Sequence, residues 1–269
     1  MKKHFQRIVF ALVAGLGFSA GVQAAEAGVT LQPAGVDLTD TASLQRGAKY
    51  YMSYCAGCHS LKYQRYSRIG ADLGLTEDQV RDNLIFDKDV QIGEPIQTGM
   101  APALAEQFFG KAPPDLSVIS RVRGDDWIYT YLKSFYLDEA RPLGWNNTLF
   151  PNASMPNVLW EMQGLQHPVF TAKEPTGEKD DKGQPVLACA PGSAEVDDRC
   201  IERLSVTQAG RLDGPGFDQV ARDITAFLAY TGEPAGLKRQ SLGVWVLLFL
   251  AFFTFMAWLL KREYWKDVH

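Results

Sequence analysis

Nineteen consecutive residues without a charge, Leu242 to Leu260, limit what this chain can fold into more than any other stretch. At about 1.5 Å per residue a helix there covers roughly 28 Å, close to the hydrocarbon thickness of a bilayer. It is apolar on every face, so a helix made from it has no side to offer water. Residues 242–260 are therefore expected to cross a membrane. Lys238 and Arg239 precede the run and Lys261, Arg262 and Lys266 follow it, while Trp245, Trp258, Tyr264 and Trp265 fall near the two interfaces. The opposite end reads as an export signal. Met1 to Arg7 is basic, Ile8 to Gly21 is apolar apart from one serine, and Val22, Gln23 and Ala24 give the small-x-small spacing of a cleavage site. Residues 1–24 are expected to be removed, 25–241 to be exported, and 261–269 to remain as a cytoplasmic tail.

This division concentrates the charge. Without Lys2, Lys3 and Arg7 the formal −4 becomes −7, and the tail's three basic and two acidic residues leave −8 for residues 25–241. An acidic exported part argues against a nucleic-acid partner and is compatible with a basic protein partner.

Within the exported part the elements are mostly helical. Gly28 to Val36 reads as an extended lead-in. Asp40 or Thr41 caps a helix whose Leu44, Ala48 and Tyr51 share a face leading to Cys55. Thr76 and Gln79 form a capping box before Val80, Leu84 and Ile85. Asp125 to Tyr136 predicts a third helix through Trp127, Ile128, Tyr131, Leu132 and Phe135, and Phe217 to Tyr230 a fourth through Val220, Ile224, Phe227 and Leu228. "NVLWEMQ", around Met162, reads as a further short helix. The Asn-, Pro- and Gly-rich stretch Leu143 to Pro156 is expected to be loop, and polar Thr171 to Arg203 a surface excursion. No alternating strand pattern is evident. The expectation is one mainly α domain with long loops, followed by a single anchor helix.

The chemistry lies in "CAGCH", Cys55 to His59, at the end of the first helix. A zinc site needs further ligands, and only Cys189, Cys200 and His167 remain, far downstream. A dithiol oxidoreductase places its CxxC after a strand in an α/β unit, and no strand pattern precedes Cys55. Covalent haem attachment accounts for every residue of the motif: two thiols one turn apart add to the two vinyl groups of a porphyrin, and the next residue presents an imidazole to the iron. Cys55 and Cys58 are thus the expected attachment points and His59 the axial ligand. For the sixth position Met155, Met100 and His167 stay open, with Met155 favoured by its rigid, Pro-flanked loop. Cys189 and Cys200, left over in an oxidising compartment, are expected to form a disulfide stabilising by about 2–3 kcal/mol.

An ordered set of motifs, "CAGCHSLKYQRY", "APPDLSVISRVRG", "NTLFPNASMP" and "DITAFLAYTGEP" before a single anchor, resembles the cytochrome c1 family over nearly all of the mature chain. The resemblance implies a cytochrome c type haem domain with inserted loops, carrying one covalent haem c. It implies Met155 as the sixth ligand and Arg121 as a partner for a haem propionate, with Arg123 as the alternative. It also implies the partners: cytochrome b, a Rieske iron-sulfur protein that donates electrons and a c-type cytochrome that accepts them. The setting it implies is a bacterial inner membrane with the haem domain in the periplasm. The Cys189–Cys200 excursion departs from a compact family pattern.

Overall fold

The computed structural model describes residues 29–266; the expected signal at 1–24 and the end of the tail lie outside the described residues. In chain order the elements are α1 (Thr41–Tyr54), β1 (Leu61–Arg65), α2 (Tyr66–Leu73), α3 (Glu77–Leu84), β2 (Pro95–Ile96), α4 (Pro102–Phe109), α5 (Ile119–Arg123) and α6 (Asp125–Lys133). There follow β3 (Phe135–Leu137), β4 (Trp145–Asn147), α7 (Trp160–Gln163), β5 (Gly164–Thr171), β6 (Glu174–Lys179), β7 (Pro185–Ala188), β8 (Ala194–Val196), β9 (Arg199–Ala209), α8 (Gly214–Gly232) and α9 (Gly236–Tyr264).

The core forms where α1 crosses α8. Asp40 caps α1 by accepting from the Ser43 N–H at 3.0 Å, and Leu44, Ala48, Tyr51 and Met52 then fall on one buried stripe. Ala221, Ile224, Phe227 and Leu228 of α8 supply the other half, with the Tyr51 and Phe227 rings 5.6 Å apart. The two helices approach so closely that a Cβ on Gly47 would stand 2.0 Å from the Asp223 carbonyl oxygen. The buried Asp223 carboxylate fixes the crossing, accepting from Ser43 Oγ at 2.6 Å, Arg46 Nε at 2.7 Å and Gln219 Nε2 at 2.8 Å. Thr76 and Gln79 close the expected capping box on α3.

Two expectations need correction. Helix makes up 44% and strand 19%, so the mainly α description holds only in part. The excursion is a β ribbon: β5, β9 and β8 form a three-stranded antiparallel sheet, with β6 and β7 as a hairpin beyond it. Alternation failed to reveal these strands because only the base of the ribbon is buried. Ala194, Val196 and Ile201 pack on Tyr136, whereas every residue of β6 is exposed. Gln166 of β5 sews the base to the helical part by donating to the Lys133 and Phe135 carbonyls. Cys189 and Cys200 are bonded, tying the strap that follows β7 to β9. The helix expected over Asp125 to Tyr136 stops at Lys133, since Phe135 and Tyr136 enter β3, and "NVLWEMQ" yields one turn.

α9 spans 29 residues with mean hydropathy 2.3 over its most apolar window, and its side chains from Leu237 onward are not buried by the rest of the described chain. Among the described residues it is the one helix long and apolar enough to cross a membrane.

Adding a methyl at the α1–α8 crossing tests its closeness. Because the obstructing atom is backbone, Gly47→Ala is expected to destabilise the fold by about 3 kcal/mol, the upper end for overpacking, read as a lowered thermal unfolding midpoint by circular dichroism.

Candidate functional site

The cysteine motif continues the last turn of α1. The Cys55 N–H donates to the Tyr51 carbonyl at 2.8 Å, and the His59 N–H returns to the Cys55 carbonyl at 2.8 Å, so the motif is a hydrogen-bonded turn hung on the core. Tyr51 reaches from within α1 to the carbonyl of His59 at 2.8 Å. The "PPDLS" segment runs alongside. The Leu116 N–H donates to the Ser60 carbonyl at 2.9 Å, and Asp115 accepts from the Lys62 N–H at 2.9 Å.

That lacing orients the imidazole. His59 Nδ1 lies 2.8 Å from the Pro114 carbonyl oxygen, which can only accept, so Nδ1 carries the proton and Nε2 keeps its lone pair. Burial lowers the His59 pKa, holding the ring neutral as a metal ligand requires. The same burial pushes the Cys55 thiol up to about 12 and raises Cys58 as well. A catalytic dithiol needs the reverse shift.

Cys55, Cys58, His59 and Met155 all line one cleft, with Tyr54, Phe109, Pro113, Pro114, Pro156 and Val158 as its apolar wall. Two thiols, a neutral imidazole and a thioether brought together in one apolar slot are the donor set of a c-type haem. A zinc site does not fit. Among the described residues no group of three or more His, Cys, Asp and Glu is placed to hold a metal ion, and Cys189 and Cys200 are consumed in their disulfide. The other candidates for the sixth position lie elsewhere: Met100 does not line the cleft, and His167 sits exposed on β5 opposite Ser205.

Two fully buried asparagines, which composition alone marked only as loop formers, brace the Met155 loop. Asn147 Oδ1 accepts from the Leu149 and Phe150 N–H groups at 2.9 and 3.0 Å, while its amide donates to the Tyr131 carbonyl at 2.9 Å. Asn146 Oδ1 accepts from Asn152 N–H at 2.9 Å, and its amide donates to Asp138. The Tyr131 hydroxyl in turn donates to Met155 Sδ at 3.6 Å. Sequence reasoning missed all three, although adjacent asparagines between a helix and a Pro-rich loop are a signal for such bracing.

Arg121 does not line the cleft; its guanidinium pairs with Glu233 Oε2 at 3.0 Å. Arg123 lies over the rings of Trp127 and Phe150, 4.9 and 5.8 Å from their centroids.

A family model described as the Cytochrome C1 family matches residues 36–166 and 213–268. The interval between the two matches is nearly the whole β ribbon. The chain is 47% identical over 243 residues to the cytochrome c1 of Allochromatium vinosum, covering 90% of this chain and 91% of that one. It is 37% identical over 241 residues to a protein named ammonia monooxygenase gamma subunit in Nitrosomonas europaea, covering 90% of each. A cytochrome b/c1 of Bradyrhizobium diazoefficiens is 28% identical over 255 residues, covering 86% of this chain and 34% of that one.

Removing the brace should loosen the Met155 loop. Asn147→Ala orphans the buried Leu149 N–H, at an expected cost of about 1–3 kcal/mol, and the part-buried Phe150 N–H; the loss is read as a lowered denaturant midpoint with unchanged m-value.

Proposed function

The chain belongs to the cytochrome c1 family, and from that premise we propose how its residues hold the haem and which partners it serves. Members of the family carry one covalently bound haem c, and the chain is an electron-transfer haem subunit of a bc1 complex, anchored in a membrane. When bound, that haem supplies a one-electron ferric/ferrous couple.

In our reading Cys55 and Cys58 carry the thioether bonds, His59 ligates the iron through Nε2, and Met155 takes the sixth position. The observation that carries this is the meeting of all four residues in one apolar cleft, three from the turn after α1 and one from a loop about a hundred residues later. With His59 and Met155 both given to the iron, no protein-free position would remain for a substrate, and the chain would make and break no substrate bond of its own. As a ligand the Met155 thioether would favour the ferrous form and raise the potential, and the apolar wall would face the porphyrin. Arg121 is proposed as a propionate partner on its family position, supported by its place within the matched stretch; a propionate there would compete with Glu233 for the guanidinium.

The electron donor is a Rieske iron-sulfur protein and the acceptor a c-type cytochrome. Residues 242–260 hold no ionisable side chain, hence no acid or base for quinol chemistry. That task falls to cytochrome b, a partner also suggested by the printed name of the Bradyrhizobium relative. The haem domain faces the periplasm of a bacterial inner membrane, with residues 25–241 as the exported domain, 242–260 as the anchor and 261–269 as the inner tail. The signal at 1–24 and the basic residues Lys261, Arg262 and Lys266 support this orientation.

Two outcomes test the proposal. The chain should keep its haem colour on a denaturing gel and co-purify with cytochrome b and a Rieske protein; a colourless band, or a haem protein lacking both partners, would refute it. Electron delivery to a basic c-type cytochrome, steered by the −8 exported domain, should slow at least tenfold between low and high ionic strength in stopped-flow mixing.

A further inference from the structure

The residues Arg123, Trp127, Tyr131 and Phe135 recur every four positions, and from α5 through α6 into β3 they build one continuous column. The Arg123 guanidinium lies over the Trp127 ring. Trp127 stacks on Tyr131 with centroids 4.9 Å apart and planes 10° from parallel, and Tyr131 meets Phe135 edge to face at 4.9 Å. Midway along the column Tyr131 also makes a polar contact: its hydroxyl reaches Met155 Sδ at 3.6 Å, within hydrogen-bond range for the larger sulfur atom. Among the described residues the hydroxyl has no other acceptor. The backbone of Tyr131 is tied to the same loop, because the Asn147 side chain that gathers the Leu149 and Phe150 amides also donates to the Tyr131 carbonyl. Ring, hydroxyl and carbonyl thus hold Tyr131 against the Met155 loop.

We propose that Tyr131 is a positioning residue for the iron ligand Met155, its hydroxyl donating to the thioether sulfur and thereby raising the reduction potential of the haem; this rests on the reading of Met155 as the sixth ligand. A thioether sulfur has two lone pairs. One faces the metal and the other is free to accept a hydrogen bond. An O–H donor on that second pair draws electron density from the sulfur, which weakens its donation to iron, and ferric iron depends on that donation more than ferrous iron does. The hydroxyl therefore favours the reduced state. It also limits rotation about the last bonds of a side chain that is otherwise among the most flexible of the apolar types.

The test is a redox titration of the full holoprotein with its optical spectrum recorded alongside. Tyr131→Phe keeps the stacked ring and removes the donor. It should retain the low-spin spectrum while shifting the ferric/ferrous equilibrium about fivefold toward ferric, a fall of about 40 mV at 59 mV per tenfold. An unchanged or higher potential would overturn the inference. Phe135→Leu removes the edge contact and leaves the hydroxyl, so its potential should stay at the wild-type value; an equal fall there would assign the effect to packing and also overturn the inference. Should the Phe variant fail to assemble, 3-fluorotyrosine at position 131, a more acidic donor, should move the potential upward, and no movement would count against the idea. Met155→Leu separates the two levels. If it keeps the native low-spin spectrum, the sixth-ligand reading falls and takes this inference with it. If it loses that spectrum while Tyr131→Phe leaves the potential unmoved, only the role of Tyr131 fails.

Discussion

The crossing of α1 over α8 at Gly47 is the contact from which the rest of the structure follows. α1 ends in the cysteine turn, and α8 leads through three residues into the membrane helix. The two helices therefore join the part that binds the haem to the part that is held by lipid. Their spacing is set by a missing side chain and their angle by a buried carboxylate that gathers Ser43, Arg46 and Gln219. Replacing that polar clamp with apolar contacts would leave the helices free to slide, because hydrophobic packing is non-directional. A carboxylate with several fixed donors has one arrangement that satisfies it.

Around this crossing the cleft is assembled from segments that are irregular by themselves. The cysteine turn is held by Tyr51 and the "PPDLS" strand-like lacing, and the methionine loop by two asparagines whose side chains replace the backbone pairing a strand would provide. Buried loop backbone must find partners somewhere. Here the partners are side chains, which makes the loop's shape depend on a few residue identities rather than on generic secondary structure. The imidazole is treated in the same way: one backbone carbonyl decides which nitrogen carries the proton, and burial keeps the ring neutral.

Legibility in the sequence tracked the range of the interactions involved. α1, the capping box of α3, α8 and the long apolar helix α9 could be read because each rests on contacts within a few residues. The disulfide was legible by elimination. The β ribbon was not, because its pairing partners lie up to 45 residues apart, as Gly164 and Ala209 do, and both faces of much of it meet water, which erases the alternation. Tyr131 and the two asparagines were equally hidden. Nothing local distinguishes a tyrosine whose ring fills a core from one whose hydroxyl meets a sulfur 24 residues on.

The joint between α8 and α9 is only Glu233, Pro234 and Ala235 long, and it is cross-braced: Glu233 accepts from Arg121 on one side and from Arg239 of α9 on the other. Pro234 cannot swing freely about φ. A mast stepped this tightly gives the cleft little freedom to tilt or rise above the lipid surface. Any redox partner of a subunit so fixed would have to reach the cleft by its own movement, since the joint itself supplies little play.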